Sequence, residues 1–276
     1  MTPPTSPPQI AFIGGGNMAS AVIGGLMRQG HPASALQVVE PWEEQRTRLA
    51  QQFPGLEVLP RASDALQRAQ LVVWAVKPQT FKDAAKATAP FVSGALHLSV
   101  AAGITSDSMA AWLGSERIVR AMPNTPALVG LGMTGLYARA AVSAAERDTV
   151  DTVVATTGEG VWVDVETQLD AVTALSGSGP AYVFYFLEAM REAGTAMGLP
   201  PDVAQRLAMG TFVGAATLAQ RADEPLQTLR ERVTSKGGTT HAALTSMEES
   251  GVKQRFIAAM QAAERRAAEL GREFGG

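Results

Sequence analysis

The chain opens with an apolar strand that runs straight into three glycines and then into a helix. Ile10–Ile13 lead into residues 14–19 (GGGNMA), which fit the pattern G-x-G-x-x-A, and an amphipathic stretch follows. In such a unit Gly14 permits the tight turn, Gly16 lets a pyrophosphate approach the backbone, and Ala19 allows close helix–sheet packing. The helix N-terminus adds N–H groups and partial positive charge. A plain strand-to-helix turn is the alternative, but the flanking strand and helix and a second strand of matching length favour dinucleotide binding.

Short apolar runs alternate with amphipathic stretches through the first half of the chain. The predicted strands are Gln9–Ile13, Leu36–Glu40, Leu71–Val76, Leu96–Val100, Arg117–Ala121 and Gly160–Val165. The predicted helices are Met18–Arg28, Glu43–Gln52, Phe81–Ala89 and Ala144–Thr157. This alternation predicts a mostly parallel sheet covered on both faces.

After about Glu166 the sequence predicts helices alone, rich in Ala, Leu and Met. The first half of Tyr182–Met197 is apolar around most of its circumference, so that helix needs burial on several sides. A region of roughly 110 residues can barely provide such burial by itself. We therefore expect an α/β domain over residues 1–166 and an all-helical, dimerising domain over residues 167–276.

Composition excludes several classes of function. The net charge of −3 argues against nucleic acid, which needs a basic face. The lack of cysteine excludes disulfides and thiolate catalysis, and three isolated histidines (His31, His97, His241) give no metal-ligand spacing, so we expect no metal. The N-terminal MTPPTSPPQ does not read as a secretory signal, and no long apolar run occurs, so the expected compartment is the cytoplasm.

The second predicted strand ends at Glu40, 21 residues past Ala19. An acidic side chain there accepts hydrogen bonds from the adenosine ribose diol and repels a 2′-phosphate, which favours NADH over NADPH. Arg46 and Arg48 follow shortly and could offset this repulsion, or they could be ordinary solvated helix charges. The coenzyme preference stays open at this point.

Two further strand ends carry candidate residues. Lys77 follows LVVWAV and could meet a cofactor beyond the strand or be an ordinary surface lysine. Asn124 stands between Pro123 and Pro126, so its amide is rigidly held. It suits recognition of a nicotinamide or ribose, with Asx-turn chemistry as the equal alternative.

Taken together, the motifs FIGGGNM, AVKP, SVAAGI, RAMPNTP, DAVTALSGSGPAYVF and VTSKGGTT, in that order, resemble the pyrroline-5-carboxylate reductase family. They run from Phe12 to Thr240 and so cover nearly the whole chain. The resemblance implies a Rossmann-type doubly wound sheet followed by a helical domain that interlocks with a second subunit, often in a ring of dimers. It also implies reduction of 1-pyrroline-5-carboxylate to L-proline by a reduced nicotinamide coenzyme, the last step of proline synthesis.

By position, the resemblance assigns two groups of residues to the coenzyme: Gly14, Gly15, Gly16, Asn17 and Met18, and Ala75, Val76, Lys77 and Pro78. It places Asn124 near the nicotinamide and Ser176–Pro180, with Ser178, on the floor of the site. A third group would hold the substrate, from a loop supplied by the partner subunit: Ser235, Gly237, Gly238, Thr239 and Thr240. Lys236 stands where the family more often has proline, and Glu40 where an NADPH-preferring member has a small polar or basic residue.

The VTSKGGTT loop has the chemistry of an anion site. Two glycines leave backbone N–H groups unobstructed, the following helix opens at Thr239–Thr240, and no acidic residue occurs between Ser235 and Glu248. Free N–H groups, hydroxyls and the helix dipole suit a substrate carboxylate, with Lys236 adding attraction. An ordinary Thr-capped helix is the alternative. Thr240 is our candidate hydrogen-bond partner for the imine nitrogen.

Three other functions compete. β-Hydroxyacid dehydrogenases use a lysine on an interdomain helix, and this chain has none between Lys86 and Lys236. An imine reductase relative would act on other cyclic imines. A non-catalytic dinucleotide sensor would bind coenzyme without oxidising it, yet would have no reason to keep the substrate loop.

Overall fold

The computed structural model describes residues 7–275, so the N-terminal MTPPTS lies outside the described residues. The described chain divides into two compact units. The first holds residues 7–178 together with 263–275, and the second is Gly179–Ala262.

In its described part, the first unit builds an eight-stranded sheet with strand order 3-2-1-4-5-6-7-8. The strands are β1 Ile10–Ile13, β2 Leu36–Val39, β3 Glu57–Leu59, β4 Leu71–Trp74, β5 Leu96–Ser99, β6 Ile118–Met122, β7 Gly132–Ala138 and β8 Gly158–Trp162. The first six are parallel, whereas β7 runs antiparallel to β6. Ile13 pairs with both Val39 and Trp74, so the carboxyl ends of β2, β1 and β4 meet at one edge of the sheet.

Helices cover both faces of this sheet, as the alternating sequence pattern predicts. They are α1 Asn17–Arg28, α2 Glu43–Gln52, α3 Pro78–Thr88, α4 Ser106–Leu113, α5 Ala144–Val154 and α6 Gln168–Val172. One face packs on α1, α2 and α5 through residues such as Ile23, Leu49 and Val150. The other packs on α3 and α4 through Phe81 and Met109. Strands β1, β2, β4 and β5 are buried along their whole length, as expected for parallel strands between two helical layers.

The predicted fold class is confirmed, and all six predicted strands exist with ends that differ by at most three residues. Two strands and one helix were not predicted. The strand β3 has only three residues and is partly exposed, while β7 (GMTGLYA) contains two glycines and so lacks a β-branched run. The helix α4 (SDSMAAWL) spans eight residues, too few to show a clear helical period.

The second unit is helical throughout. It contains α7 Gly179–Ala196, α8 Pro201–Arg221, α9 Leu226–Arg232, α10 Thr239–Glu249 and the first part of α11, which spans Val252–Phe274. Within residues 7–275 no strand follows Trp162, and no helix is both long and apolar enough to cross a membrane.

The second unit has little interior of its own. Gly194 on α7 lies against Ala204 on α8, and the rings of Tyr182 and Phe186 pack nearly perpendicular to the ring of Phe256. Among residues 179–262 the buried positions are Gly194, Ala204 and Ala208. Large apolar side chains are left exposed instead: Phe184 (59%), Tyr185 (70%) and Val213 (67%). The burial that the sequence demands of α7 is thus not met within this unit.

The buried His97 on β5 makes the stability of the first unit depend on pH. Its Nδ1 accepts a hydrogen bond from Trp74 Nε1 (3.3 Å), and burial, with a smaller contribution from nearby Arg117, lowers its pKa to about 4. Between about pH 6.5 and 4 the unfolded chain binds a proton at this histidine that the folded chain does not. The contribution of His97 to folding stability is therefore fully present above about pH 6.5 and is lost progressively as the pH falls through about 4.

We expect the free energy of unfolding to fall by about 2–4 kcal/mol over this interval because of His97 alone. The variant His97→Gln keeps an acceptor for Trp74 Nε1 but does not titrate. Urea unfolding of both chains at several pH values measures the difference. Parallel curves for His97→Gln and the parent would show that His97 does not carry the effect.

Candidate active site

The glycine turn lies against the carboxyl end of β4. Gly14 has a φ of +94°, and a Cβ there would stand 2.6 Å from the Ala75 carbonyl oxygen. Its N–H donates to Val39 O (2.9 Å). The turn, the end of β2 and the start of the AVKP segment are therefore in contact, and only glycine fits at this point.

Gly15 is buried, and Gly16 opens the turn toward solvent. Gly16 is the N-cap of α1, is exposed, and a Cβ on it would meet no atom within 4 Å. The first turn of α1 begins at Asn17, with neither an acidic residue nor a side-chain cap. Its N–H groups and the positive end of the helix dipole are thus left for an anion. A dinucleotide pyrophosphate fits this cradle.

Glu40 closes the other side of the turn. Its Oε2 accepts from Gly15 N (2.9 Å) and its Oε1 from Trp42 N (3.0 Å), and the side chain is buried. An ionised carboxylate has about four acceptor positions, so two remain for the hydroxyls of a ribose. The acidic side chain predicted at this strand end thus also stabilises the turn through these two hydrogen bonds.

The two arginines that could offset this charge are both engaged elsewhere. The guanidinium of Arg46 donates to Glu40 O (3.2 Å) and Pro41 O (2.5 Å). Arg48 forms an exposed ion pair with Glu44 one helical turn away. Neither guanidinium reaches the Glu40 carboxylate.

Gln45 is a contributor that the sequence analysis missed. Its Nε2 donates to Gly15 O (2.6 Å), so α2 supports the middle glycine from the side opposite Glu40. A glutamine in the first turn of a helix carries no signal in the sequence for a contact with a residue 30 positions earlier.

The AVKP segment leads from β4 into α3. Ala75 N donates to Ile13 O (2.8 Å), which ties this segment to β1. Val76 is partly exposed, Lys77 is the exposed N-cap of α3, and Pro78 occupies the first turn of that helix. Lys77 follows Val76, whose side chain lies close to Gly14, and its exposed position fits both a cofactor contact and a surface lysine.

Asn124, at the end of β6, is buried and connects two other segments. Its Nδ2 donates to Ser176 O (3.1 Å), and its Oδ1 accepts from Met133 N (3.0 Å). The resulting contact brings together RAMPNTP and SGSG, two of the motifs that the resemblance places in one site. Residues 173–177 form a turn of π-helix, which the sequence analysis did not predict.

The VTSKGGTT loop lies in the second unit, between α9 and α10. Gly237 has a φ of +75°, and Gly238 N donates to Ser235 O (3.0 Å), which closes a tight turn. As predicted, α10 opens at Thr239 after Gly238, without an acidic first turn or a side-chain cap. Thr240 is partly buried, whereas Lys236 is exposed.

Nothing in residues 7–275 assembles the three or more His, Asp or Glu side chains that a metal ion would need. The first unit carries an anion cradle at α1 and a carboxylate at the end of β2, and the second unit, taken by itself, carries an uncapped helix end at α10. Fold and site together define a nicotinamide-dinucleotide oxidoreductase of the Rossmann type.

Comparison with known proteins narrows this class. A family model described as pyrroline-5-carboxylate reductase dimerisation matches residues 166–270, and one described as NADP oxidoreductase, coenzyme F420-dependent, matches residues 9–103. A pyrroline-5-carboxylate reductase of Pseudomonas aeruginosa is 45% identical over 98% of this chain and 99% of its own. The chain belongs to the pyrroline-5-carboxylate reductase family, which confirms the resemblance of the motifs.

Solved structures agree with this placement. A pyrroline-5-carboxylate reductase from Coxiella burnetii has a TM-score of 0.89 and 36% identity, covering 95% of this chain and 98% of its own. A pyrroline carboxylate reductase from Plasmodium falciparum, solved with NADP bound, has a TM-score of 0.85 and 27% identity, covering 97% and 99%.

Because a side chain at Gly16 would meet open space, a substitution there should weaken coenzyme binding without affecting folding. Gly16→Ala should fold with an unchanged thermal midpoint, because its Cβ meets nothing in the protein and its φ of −72° suits alanine. The same methyl group would occupy the pyrophosphate cradle. We expect coenzyme affinity, measured by calorimetry, to fall by about 5- to 150-fold, the range for overpacking by 1–3 kcal/mol.

Gly24→Ala is the matched control, since Gly24 lies in the middle of α1, where an added Cβ would approach the flexible tip of Arg28 and the ring of Phe53. It should leave coenzyme affinity unchanged. Equal affinity of Gly16→Ala and the parent would remove Gly16 from the cradle.

Proposed function

We propose that this chain reduces 1-pyrroline-5-carboxylate to L-proline, using the glycine turn and AVKP segment to hold the coenzyme and the GGTT loop to hold the substrate. The observation that carries the proposal is the α10 helix end, with free N–H groups, two hydroxyls and no acid in its first turn. The substrate is a small ring with one carboxylate and one imine nitrogen, and such a helix end recognises the carboxylate. Bound reduced nicotinamide supplies the hydride.

The coenzyme-binding residues of the proposal are those of the first unit. Gly14–Met18 hold the pyrophosphate at α1, Glu40 accepts from the adenosine ribose, and Ala75–Pro78 line the neighbouring strand end. The support is the close approach of Gly14 to Ala75 and the open cradle at Gly16.

We propose NADH as the preferred coenzyme. The Glu40 carboxylate keeps acceptor capacity for the ribose diol, and its charge opposes a 2′-phosphate at the same place. The support is that Arg46 donates to backbone carbonyls and Arg48 pairs with Glu44. Neither cation is committed to a phosphate site.

The proposed substrate site uses the N–H groups of Thr239 and Thr240 and the turn formed by Ser235, Gly237 and Gly238. Lys236, exposed beside this turn, adds long-range attraction for the carboxylate. The Thr240 hydroxyl holds the imine nitrogen. As an ordinary hydroxyl it is a poor acid, so the proton on that nitrogen comes from solvent or a bound water.

The reaction needs no further chemistry from side chains, because a protonated cyclic imine accepts hydride readily. The residues act chiefly by orientation, which supplies several kcal/mol of the barrier when the reacting atoms are held in line. In this proposal Ser178 lies on the floor of the site, as part of the segment Ser176–Pro180.

We also propose that residues 167–276 pair with a second copy of the chain, which supplies the substrate loop across the interface. The exposed Phe184, Tyr185 and Val213 of the second unit are the surface that such a partner covers. The family model for dimerisation spans this region. A non-catalytic dinucleotide sensor is the second candidate function, and absence of turnover with any imine in a chain that binds coenzyme would indicate it.

The Thr240 hydroxyl gives the most direct test of the substrate site. Thr240→Ala should slow turnover of pyrroline-5-carboxylate by roughly 10- to 1000-fold, guided by the range for groups that assist proton transfer. Thr240→Ser, which keeps the hydroxyl, should restore most of the rate. Thr245→Ala, in the middle of α10, is the control and should behave like the parent. Activity of Thr240→Ala within threefold of the parent would exclude Thr240 from the mechanism.

Glu40 provides the test of coenzyme choice. Glu40→Gln removes the charge and one of the two oxygens that accept from Gly15 N and Trp42 N, and the lost contact affects both coenzymes alike. The ratio of kcat/KM for NADH to that for NADPH should therefore fall by about fivefold or more, as expected for loss of 1–4 kcal/mol of repulsion. Arg48→Gln is the control and should leave the ratio unchanged. An unchanged ratio in Glu40→Gln, or a parent chain that prefers NADPH, would contradict the proposal.

A further inference from the structure

The side chain of Asn124 is occupied by the protein itself. One side of its amide donates to Ser176 O (3.1 Å) and the other accepts from Met133 N (3.0 Å). Only 8% of the residue is exposed. An amide held in this way connects β6, β7 and the segment before α7, and it does not project into open space.

The segment that Asn124 holds has an unusual helical register. Residues 173–177 form a π-helical turn, in which Ser178 N donates to Thr173 O (2.8 Å), five residues back. The Ser176 hydroxyl donates to Val172 O (3.1 Å), so it is committed to the helix. Single π turns inside helices are rare and occur frequently at functional sites.

A π turn contains one residue more than an α turn, so its loss would rotate the residues beyond it by about 100° around the helix axis. For Ser178 such a rotation would change which side of the helix carries its hydroxyl. The π register therefore decides where Ser178 lies, and a contact that stabilises this register also positions Ser178.

Packing against the sheet reinforces the same register. A Cβ on Gly177 would stand 2.7 Å from Met122 Cε, and one on Gly135 would stand 2.6 Å from Val172 Cγ1. The π turn thus packs closely against β6, and the residue before it packs closely against β7. Asn124 adds a directional hydrogen bond to this contact, and it is bonded to the carbonyl of the residue next to Gly177.

We propose that Asn124 is a positioning residue, which acts on the reaction through the Ser176–Ser178 segment and not by contact with the coenzyme. This inference rests on the proposed function, since Ser178 belongs to its substrate site. The Asn124 amide fixes the π register, the π register places Ser178, and misplacement of such a group by about 1 Å can cost a hundredfold in rate.

Asn124→Asp is the sharpest test, because it keeps an oxygen to accept from Met133 N and replaces the donor to Ser176 O with a second oxygen. We expect kcat for pyrroline-5-carboxylate to fall about 10- to 100-fold. The coenzyme dissociation constant, measured by fluorescence titration, should stay within threefold of the parent. Hydrogen exchange at the Ser178 amide should become about tenfold faster, since its bond to Thr173 O depends on the π register.

Gln37→Met is the matched control for general loss of stability. Gln37 is also a buried amide of this sheet, and its Nε2 donates to Glu57 Oε2 (2.7 Å) and Ala65 O (3.2 Å). The Gln37→Met variant should have a lower thermal midpoint, with kcat and hydrogen exchange at the Ser178 amide unchanged. Asn124→Ser, which is smaller and uncharged, serves as a second variant should the aspartate prevent folding, with the same expected losses.

Three results would overturn the inference. The first is a loss of coenzyme affinity that accounts for the lower rate, since Asn124 would then be a direct ligand. The second is unchanged kcat and unchanged exchange at Ser178. The third is a loss of kcat in Gln37→Met as large as that in Asn124→Asp, when the two variants have the same thermal midpoint. A parent chain without turnover would refute the proposed reaction instead, and exchange at Ser178 would still decide whether Asn124 holds the π register.

Discussion

The fold of the first unit depends on the close approach of Gly14 to the end of β4. A backbone carbonyl lies where a Cβ would otherwise be, so this turn can exist only with glycine. The approach joins the two central strands at the point where the strand order reverses, with β2 and β3 on one side of β1 and β4 to β6 on the other. Open α/β sheets bind their ligands at this switch point. The location of the coenzyme crevice follows from the topology.

The glycine turn is held in place by two side chains from other elements, Glu40 and Gln45. The Glu40 carboxylate and the Gln45 amide hold the two sides of Gly15, one at its N–H and one at its carbonyl. The residue proposed to select the coenzyme therefore also keeps the phosphate cradle in shape. Substitution at position 40 changes both the charge near the ribose and a hydrogen bond to the turn, so coenzyme choice and coenzyme affinity are physically coupled at this residue.

Local patterns predicted local features well. The strand–turn–helix at residues 10–28 and the opening of α10 after Gly238 depend on residues adjacent in sequence, and both occur as predicted. The Gln45 contact and the π turn at residues 173–177 depend on segments brought together by the fold. No spacing in the sequence reports such contacts. The prolines around Asn124 predict a rigidly held amide, but the partners of that amide are 9 and 52 residues away.

The second unit does not bury its own large apolar side chains. Its helices bury mainly glycine and alanine, while aromatic and aliphatic side chains face outward. Burial of large apolar side chains is the dominant stabilising term in proteins, at about 25 cal/mol per Å². A helical region that leaves them exposed is stabilised by association. In the proposed enzyme, the same association supplies the loop that recognises the substrate carboxylate.

The most direct test of the proposed reaction is the loss of reduced-nicotinamide absorbance with pyrroline-5-carboxylate, with NADH and NADPH run side by side and proline identified as the product. We predict turnover with both coenzymes or with NADH alone, and a higher kcat/KM for NADH. Absence of turnover with either, in a chain that binds coenzyme, would contradict the proposed reaction.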